Sequence, residues 1–169
     1  MGEVPSLFYW DANIFLSYIN QVPERTPDLD ALFEEARDGA IEIMSSTLSI
    51  VEVAFAAEEQ LGGPLSEEIE DGIESLWHVP SPVKLVEFST LIARRARRLI
   101  RRAREQGWSL KPADAIHLAT AEQMAVDEFH TYEKIKLDKF GPICGFSVRE
   151  PLAQQPQLPT QGESDPESR

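Results

Sequence analysis

Cysteine is nearly absent from this chain: Cys144 stands alone, so no internal disulfide and no cysteine-based zinc cluster can form, as suits a reducing compartment. Histidine is scarce as well, with three in 169 residues, and no histidine metal cluster can be read from them. No window approaches the roughly 18 uninterrupted apolar residues of a membrane span. The N-terminus MGEVPSLFYW has no basic stretch ahead of an apolar one, so no secretory signal is read there. The expectation is a soluble, cytoplasmic protein with no membrane partner. Positive charge is in deficit, 16 Lys and Arg against 29 Asp and Glu, which gives a net charge of -13 and a pI of about 4.6. Such a balance excludes a protein that coats nucleic acid or anionic lipid through its overall field, and any contact with a polyanion must be local. A glycine-rich phosphate loop, a Ser-His-Asp arrangement and an internal repeat are also missing.

The length suits one domain with a real core. Leu7 to Trp10 is aromatic and short and reads as a buried strand feeding a helix through Ile14 to Ile19. Pro23 to Pro27 breaks the chain; Leu29, Leu32, Phe33 and Ala36 then recur at helical spacing until Gly39. Ile41 to Met44 is a second strand, and Ser45, Ser46 and Thr47 offer caps for a helix that carries Glu52 and ends at Gly62-Gly63. Further helices are expected over Ser66 to Trp77, Phe88 to Gln106 and Pro112 to Ala125, and strands over Val83 to Val86, Glu128 to Thr131 and Gly145 to Val148. Strands alternating with helices predict an α/β domain with a mainly parallel sheet. This domain is expected to fill residues 1–150. From Pro151 to Arg169 the chain is rich in Pro, Gln, Ser and Glu and is expected to be a disordered tail.

Three acids interrupt otherwise apolar stretches: Asp11 in LFYWDANIFL, Glu52 in LSIVEVAFAA and Asp114 in PADAIHLATA. A carboxylate buried without a partner costs several kcal/mol, so it must be neutralised, hydrogen-bonded or bound to a cation. Each has a structural reading of its own. Asp11 fits a helix cap, Ser49-Ile-Val-Glu52 fits a capping box, and Asp114 in a first helical turn is favoured by the helix dipole. The three together are explained more simply by convergence on one divalent cation, with Glu133 as a fourth acid at the mouth of the pocket. Asp138 rivals Glu133 for that place, and Asp127 reads as a turn residue. His117, one turn from Asp114, either faces the site or is a satisfied structural histidine, the second reading being favoured. An all-oxygen ligand set selects Mg²⁺ or Mn²⁺ over zinc.

The order DANIFLSYI, SSTLSIVEVAFA, KPADAIHLATA, FHTYEKIKLDKF resembles the PIN-domain ribonucleases, and among them the VapC-type toxins of toxin-antitoxin modules; the likeness runs from about Leu7 to Phe146. ADAIHLATA is its most specific piece. The resemblance implies a three-layer α/β/α sandwich with a five-stranded parallel sheet, Asp11, Glu52 and Asp114 as core metal ligands, and Asn13 and Thr131 as polar support. The family carries Asp where this chain has Glu133. It further implies carboxylates that raise one another's pKa, Mg²⁺-dependent hydrolysis of RNA phosphodiesters, and a cognate antitoxin as partner. A PIN-like binding module without activity is the alternative. A phosphotransferase using Asp11 as nucleophile is disfavoured, because Asn13 cannot serve as its general acid.

Arg94, Arg95, Arg97, Arg98, Arg101, Arg102 and Arg104 lie on one helix whose buried stripe is Ile92, Ala96, Leu99 and Ala103. The outer face is a candidate ramp for RNA phosphates, with Arg97, Arg101 and Arg104 as its contacts. It is equally a candidate for pairing with Glu34, Glu35 and Asp38, or for holding a second subunit in a homodimer.

Overall fold

Tyr9 and Trp10 are consecutive and both wholly buried, yet they enter different cores, because successive side chains of a strand point to opposite faces. A strand covered on both faces is what a parallel sheet between two helical layers requires. The computed structural model describes residues 4–153. In it, β1 (Ser6–Trp10), β2 (Ile41–Ser46), β3 (Val83–Val86), β4 (Glu128–His130) and β5 (Ser147–Arg149) form one five-stranded sheet in the order β3-β2-β1-β4-β5. Every pairing in it is parallel.

The helices are α1 (Ala12–Ile19), α2 (Thr26–Arg37), α3 (Leu48–Glu52), α4 (Ala57–Gln60), α5 (Glu67–Ser75), α6 (Thr90–Glu105), α7 (Pro112–Met124), α8 (Lys134–Leu137) and α9 (Gly141–Cys144). Ile14 and Phe15 of α1, Leu29, Leu32 and Phe33 of α2, and Ile73 of α5 pack with Trp10, Ile41 and Ile43 into one core. On the other side, α6 and α7 close over Tyr9, Met44 and Phe129. The expected three-layer α/β/α sandwich is therefore what the chain forms. After β1 the chain builds β2 and β3 outward on one side, then returns to place β4 and β5 on the other. This reversal opens a crevice at the carboxyl end of β1, where open α/β sheets bind ligands. Asp11 follows β1 directly, and Thr131 follows β4.

Three expectations need correction. The helix carrying Glu52 does not run on to Gly62-Gly63: it ends at Glu52, Val53 leaves helical geometry, and Ala56 is extended before α4. Ile50, Val51 and Val53 are β-branched and lose side-chain freedom in a helix, so little propensity opposes the break. Nor is this apolar run buried as a whole. Val53 is, but Ile50, Val51 and Phe55 face solvent at 39%, 73% and 45% exposure. β5 also starts at Ser147 rather than Gly145, because Gly145 takes φ 87 in closing α9.

Of the expected tail, only Pro151, Leu152 and Ala153 fall within the described residues. Pro151 is buried, Ala153 packs against the core of α1 and α2, and the Ala153 N–H donates to Asp28 Oδ1 at 3.2 Å. A chain ending at Ala153 is expected to melt at the temperature of the full protein. One ending at Glu150 is expected to melt some 2–4 °C lower, since a lost hydrogen bond and a lost buried proline amount to about 1 kcal/mol. Calorimetry of the two truncations checks both, and equal melting temperatures would show that the last three described residues contribute nothing.

Candidate metal centre

Asp11 is the first residue after β1 and the N-cap of α1; its Oδ1 accepts from the N–H groups of Asn13 at 3.1 Å and Ile14 at 3.4 Å. Capping and site duty are compatible, because the helix uses only Oδ1 of a carboxylate that has about four lone-pair sites. The residue is buried, and burial is the main reason its carboxyl is pushed up to about 6, with the Glu133 charge a lesser cause in the same direction; the Thr131 hydroxyl is the largest influence the other way. Mutual repulsion among carboxylates is thus not what dominates at Asp11, contrary to the expectation from the resemblance.

Glu52 makes no capping box. Thr47 is the N-cap of α3, Ser49 Oγ turns to Ser45 Oγ at 2.8 Å, and Glu52 reaches instead to His117, Oε2 to Nε2 at 2.6 Å. His117 is buried on α7 one turn beyond Asp114, and its Nδ1 lies 2.8 Å from the Tyr9 hydroxyl. A carboxylate can only accept, so the Nε2 proton belongs to this bond, and Nδ1 shares a second hydrogen bond with the Tyr9 hydroxyl. Burial raises the Tyr9 pKa, so the phenol keeps its proton. His117 is thus a buried histidine with both ring nitrogens satisfied, as the favoured reading expected, and its partner on one side is Glu52.

Lys136, which is not among the expected site residues, joins Asp114 to Glu133, and Glu133 in turn accepts from Asn13. Lys136 Nζ sits 3.1 Å from Asp114 Oδ2 and 3.3 Å from Glu133 Oε1. Asn13 Nδ2 donates to Glu133 Oε2 at 3.3 Å, and the Glu133 N–H donates to Thr131 Oγ1 at 3.0 Å. Burial works to lower the Lys136 pKa, but the Asp114 and Glu133 carboxylates outweigh it and the pKa is raised. The signal for this residue was available: Glu133 and Lys136 stand three apart, which places them on one face if the segment is helical. Asp138, the rival to Glu133, lines a separate cleft with Asp127, Gly141 and Ser147.

These groups suit a hard cation in kind. The donors are all oxygen, and the buried Asp114 Oδ2, though close to Lys136, makes no hydrogen bond among the described residues and so keeps a lone pair free. Among the described residues, no three His, Cys, Asp or Glu side chains are gathered tightly enough to enclose an ion as they stand. Lys136 supplies positive charge at the spot instead.

The arginines of α6 have the arrangement expected of them: Ile92, Ala96, Leu99 and Ala103 are buried, and Arg94, Arg97, Arg98, Arg101, Arg102 and Arg104 are exposed. They do not pair with α2. Glu34 is held by Arg37, and among the described residues only Arg95 of α6 forms an ion pair, to Glu122 at 3.2 Å. A groove of about 630 Å³ runs along this face between Arg98, Arg101, Arg102, Glu105, Glu122 and Ile143. None of the four acids lines it.

Residues 8–140 match the PIN domain family. The chain belongs to this PIN-domain family. No curated protein matches it. Among solved structures, this PIN domain is similar to the VapBC2 complex of Rickettsia felis bound to a promoter DNA fragment, with a TM-score of 0.60 at 15% identity, covering 85% of this chain and 98% of that one. DNA-bound VapBC from Salmonella typhimurium gives a TM-score of 0.59 at 16% identity over 86% and 98% of the two chains. VapC20 of Mycobacterium tuberculosis, a sarcin-ricin loop cleaving toxin, gives 0.55 at 11% over 75% and 89%. At such identities the likeness is one of fold. Among the described residues, no helix of this PIN domain is long and apolar enough to cross a membrane.

Proposed function

We propose that this PIN-domain protein is a Mg²⁺- or Mn²⁺-dependent endoribonuclease and the toxin of a two-gene module with a cognate antitoxin. The observation that carries the reading is the placement of Asp11 in the crevice at the carboxyl end of β1, with Asp114, Glu133 and Asn13 linked beside it and Glu52, at the end of the helix after β2, held by His117. Asp11, Glu52, Asp114 and Glu133 would hold the cation, which supplies a water of lowered pKa and stabilises charge on the scissile phosphate. Asn13 and Thr131 fix the Glu133 side chain and its backbone. His117, itself fixed by Tyr9, holds Glu52 in one rotamer. Purified protein should cleave single-stranded or structured RNA with Mg²⁺ or Mn²⁺ and stop when EDTA is added. A folded preparation that binds RNA but cleaves none under any divalent cation would instead favour the binding-module reading, which the intrusion of Lys136 among the acids supports.

A protein partner is supported by Ile50, Val51 and Phe55, together with Phe88 and Leu91, which are all exposed. Phe88 is tied to the start of α3 by its N–H bond to Thr47 Oγ1 at 3.2 Å. Apolar side chains grouped in this way mark an interaction surface; the proposal gives it to the antitoxin and to a second copy of the chain in a homodimer. The exposed α6 face is assigned to RNA. Replacing Arg97, Arg101 and Arg104 with Gln should weaken RNA binding and reduce the salt slope by up to about 0.7 per arginine, the value for one single-strand phosphate contact. Affinities at two salt concentrations check this, and an unaltered slope would remove the assignment.

A further inference from the structure

Beside the acids lies a cavity of about 370 Å³ whose walls include Asn13, Ser17, Asn20, Arg25, Tyr132 and Glu133. Asn13 and Glu133 belong to both the cavity and the acidic site, so a strand laid across the acids continues directly into it. We propose that this cavity is a subsite for a backbone phosphate of the RNA strand, next to the scissile one, with Arg25 as the residue that binds it. The inference rests on the ribonuclease reading and deepens it.

Arg25 is held but not used up. Its guanidinium carbon lies over the Tyr132 ring, 3.7 Å from the centroid, and Nη1 donates to Ser17 Oγ at 2.9 Å. Ser17 in turn donates to the Asn13 carbonyl at 2.8 Å, which ties Arg25 to the helix that starts at Asp11. A guanidinium has five N–H donors in a planar fork. Only one of them bonds among the described residues, and no carboxylate there pairs with Arg25. The nearby acids are committed elsewhere: Asp28 accepts from the Ala153 N–H, and Glu133 takes Lys136 and Asn13. In a chain with 29 acids against 16 bases, an arginine beside the acidic site that has no ion pair among the described residues can take an outside anion.

The Tyr132 contact and the Ser17 bond hold the guanidinium in place beforehand, so less side-chain freedom remains to be lost on binding, and a fork of this kind can meet two phosphate oxygens at once. The subsite explains how a strongly acidic protein keeps a polyanion close to four carboxylates: one fixed cation stands immediately outside the acids, and Lys136 stands within them.

The test uses full-length protein carrying Asp114→Asn, so that RNA is bound without being cut, and a fluorescently labelled single-stranded oligoribonucleotide followed by anisotropy at several salt concentrations. Adding Arg25→Gln should weaken binding about tenfold and lower the salt slope by about 0.7. Arg25→Lys should keep the slope and lose part of the affinity, because charge is retained and the fork is not. Unchanged affinity and slope in Arg25→Gln would overturn the subsite while leaving the ribonuclease reading standing. Failure of the Asp114→Asn protein to bind any RNA would remove both. If Arg25→Gln proves unfolded by circular dichroism, the side-chain Nε–H resonance of Arg25 in the protein with arginine labelled by ¹⁵N decides the matter. It should shift saturably as the oligonucleotide is added, and a resonance that does not move would sink the proposal. A loss confined to binding of a protein partner, with RNA affinity intact, would assign the cavity to that partner instead.

Discussion

Asp11→Asn is expected to lower RNA cleavage by about a thousandfold or more while making the metal-free protein more stable at neutral pH. The loss follows from removing a charged ligand at the point where the sheet opens. The gain follows from burial. The folded carboxyl sits at about 6 and the unfolded one at about 3.8, so between these values the folded form holds a proton that the unfolded form has lost. Stability therefore falls as pH rises through that window, and above it the native state carries the full penalty of a buried charge. A displacement of this size corresponds to at most about 3 kcal/mol. Asparagine keeps the oxygen that caps α1, and it is as good a cap as aspartate, so the helix start is spared. Thermal melts in EDTA should show the variant ahead of the native chain by several degrees at pH 7 and level with it below about pH 4. Cleavage at the native rate by a folded Asp11→Asn protein would overturn the metal-site assignment; equal melting at both pH values would overturn the account of its burial.

Lys136→Met is expected to tighten Mn²⁺ binding about tenfold. The ammonium lies 3.1 Å from Asp114 and 3.3 Å from Glu133, so it competes for the oxygens that a cation would use. At this half-exposed position its removal changes the local field by roughly 1–2 kcal/mol after screening. Titration calorimetry on the variant, beside Asp114→Asn, Glu133→Gln and Asp138→Asn, gives the expected order. Asp114→Asn should lose the most affinity and Glu133→Gln less, because its carboxylate is longer and shared with Asn13 and Lys136. Asp138→Asn should lose none, because that side chain lines a different cleft. Weaker Mn²⁺ binding by Lys136→Met would show that the lysine organises the acids rather than competing for them, and a larger loss for Asp138→Asn than for Glu133→Gln would move the fourth ligand.

Much of the site was legible because burial is written into sequence as context. Asp11 and Asp114 stand alone in apolar runs, and a charge in such a place demands a partner wherever the run ends up. Glu52 was found by the same rule although part of its reason failed. Ile50, Val51 and Phe55 around it are exposed, since an apolar stretch does not reveal whether it faces the core of its own chain or another surface. Lys136 and Arg25 were missed for the opposite reason. Each is a basic residue in a polar segment, indistinguishable from a solvated one until Asp114, Tyr132 and Ser17 are brought beside it from other elements.

By itself the sequence determined the alternation of strands and helices, the buried stripe of α6 and the parallel sheet, because these rest on periodicities of two and 3.6 residues that every local window carries. Only the tertiary structure decided which polar groups meet. The Glu52–His117–Tyr9 chain joins residues 65 and 108 positions apart, and the Asn13–Glu133 bond spans 120. Contacts between residues so far apart depend on strand order and helix crossing, which local patterns restrict but do not specify.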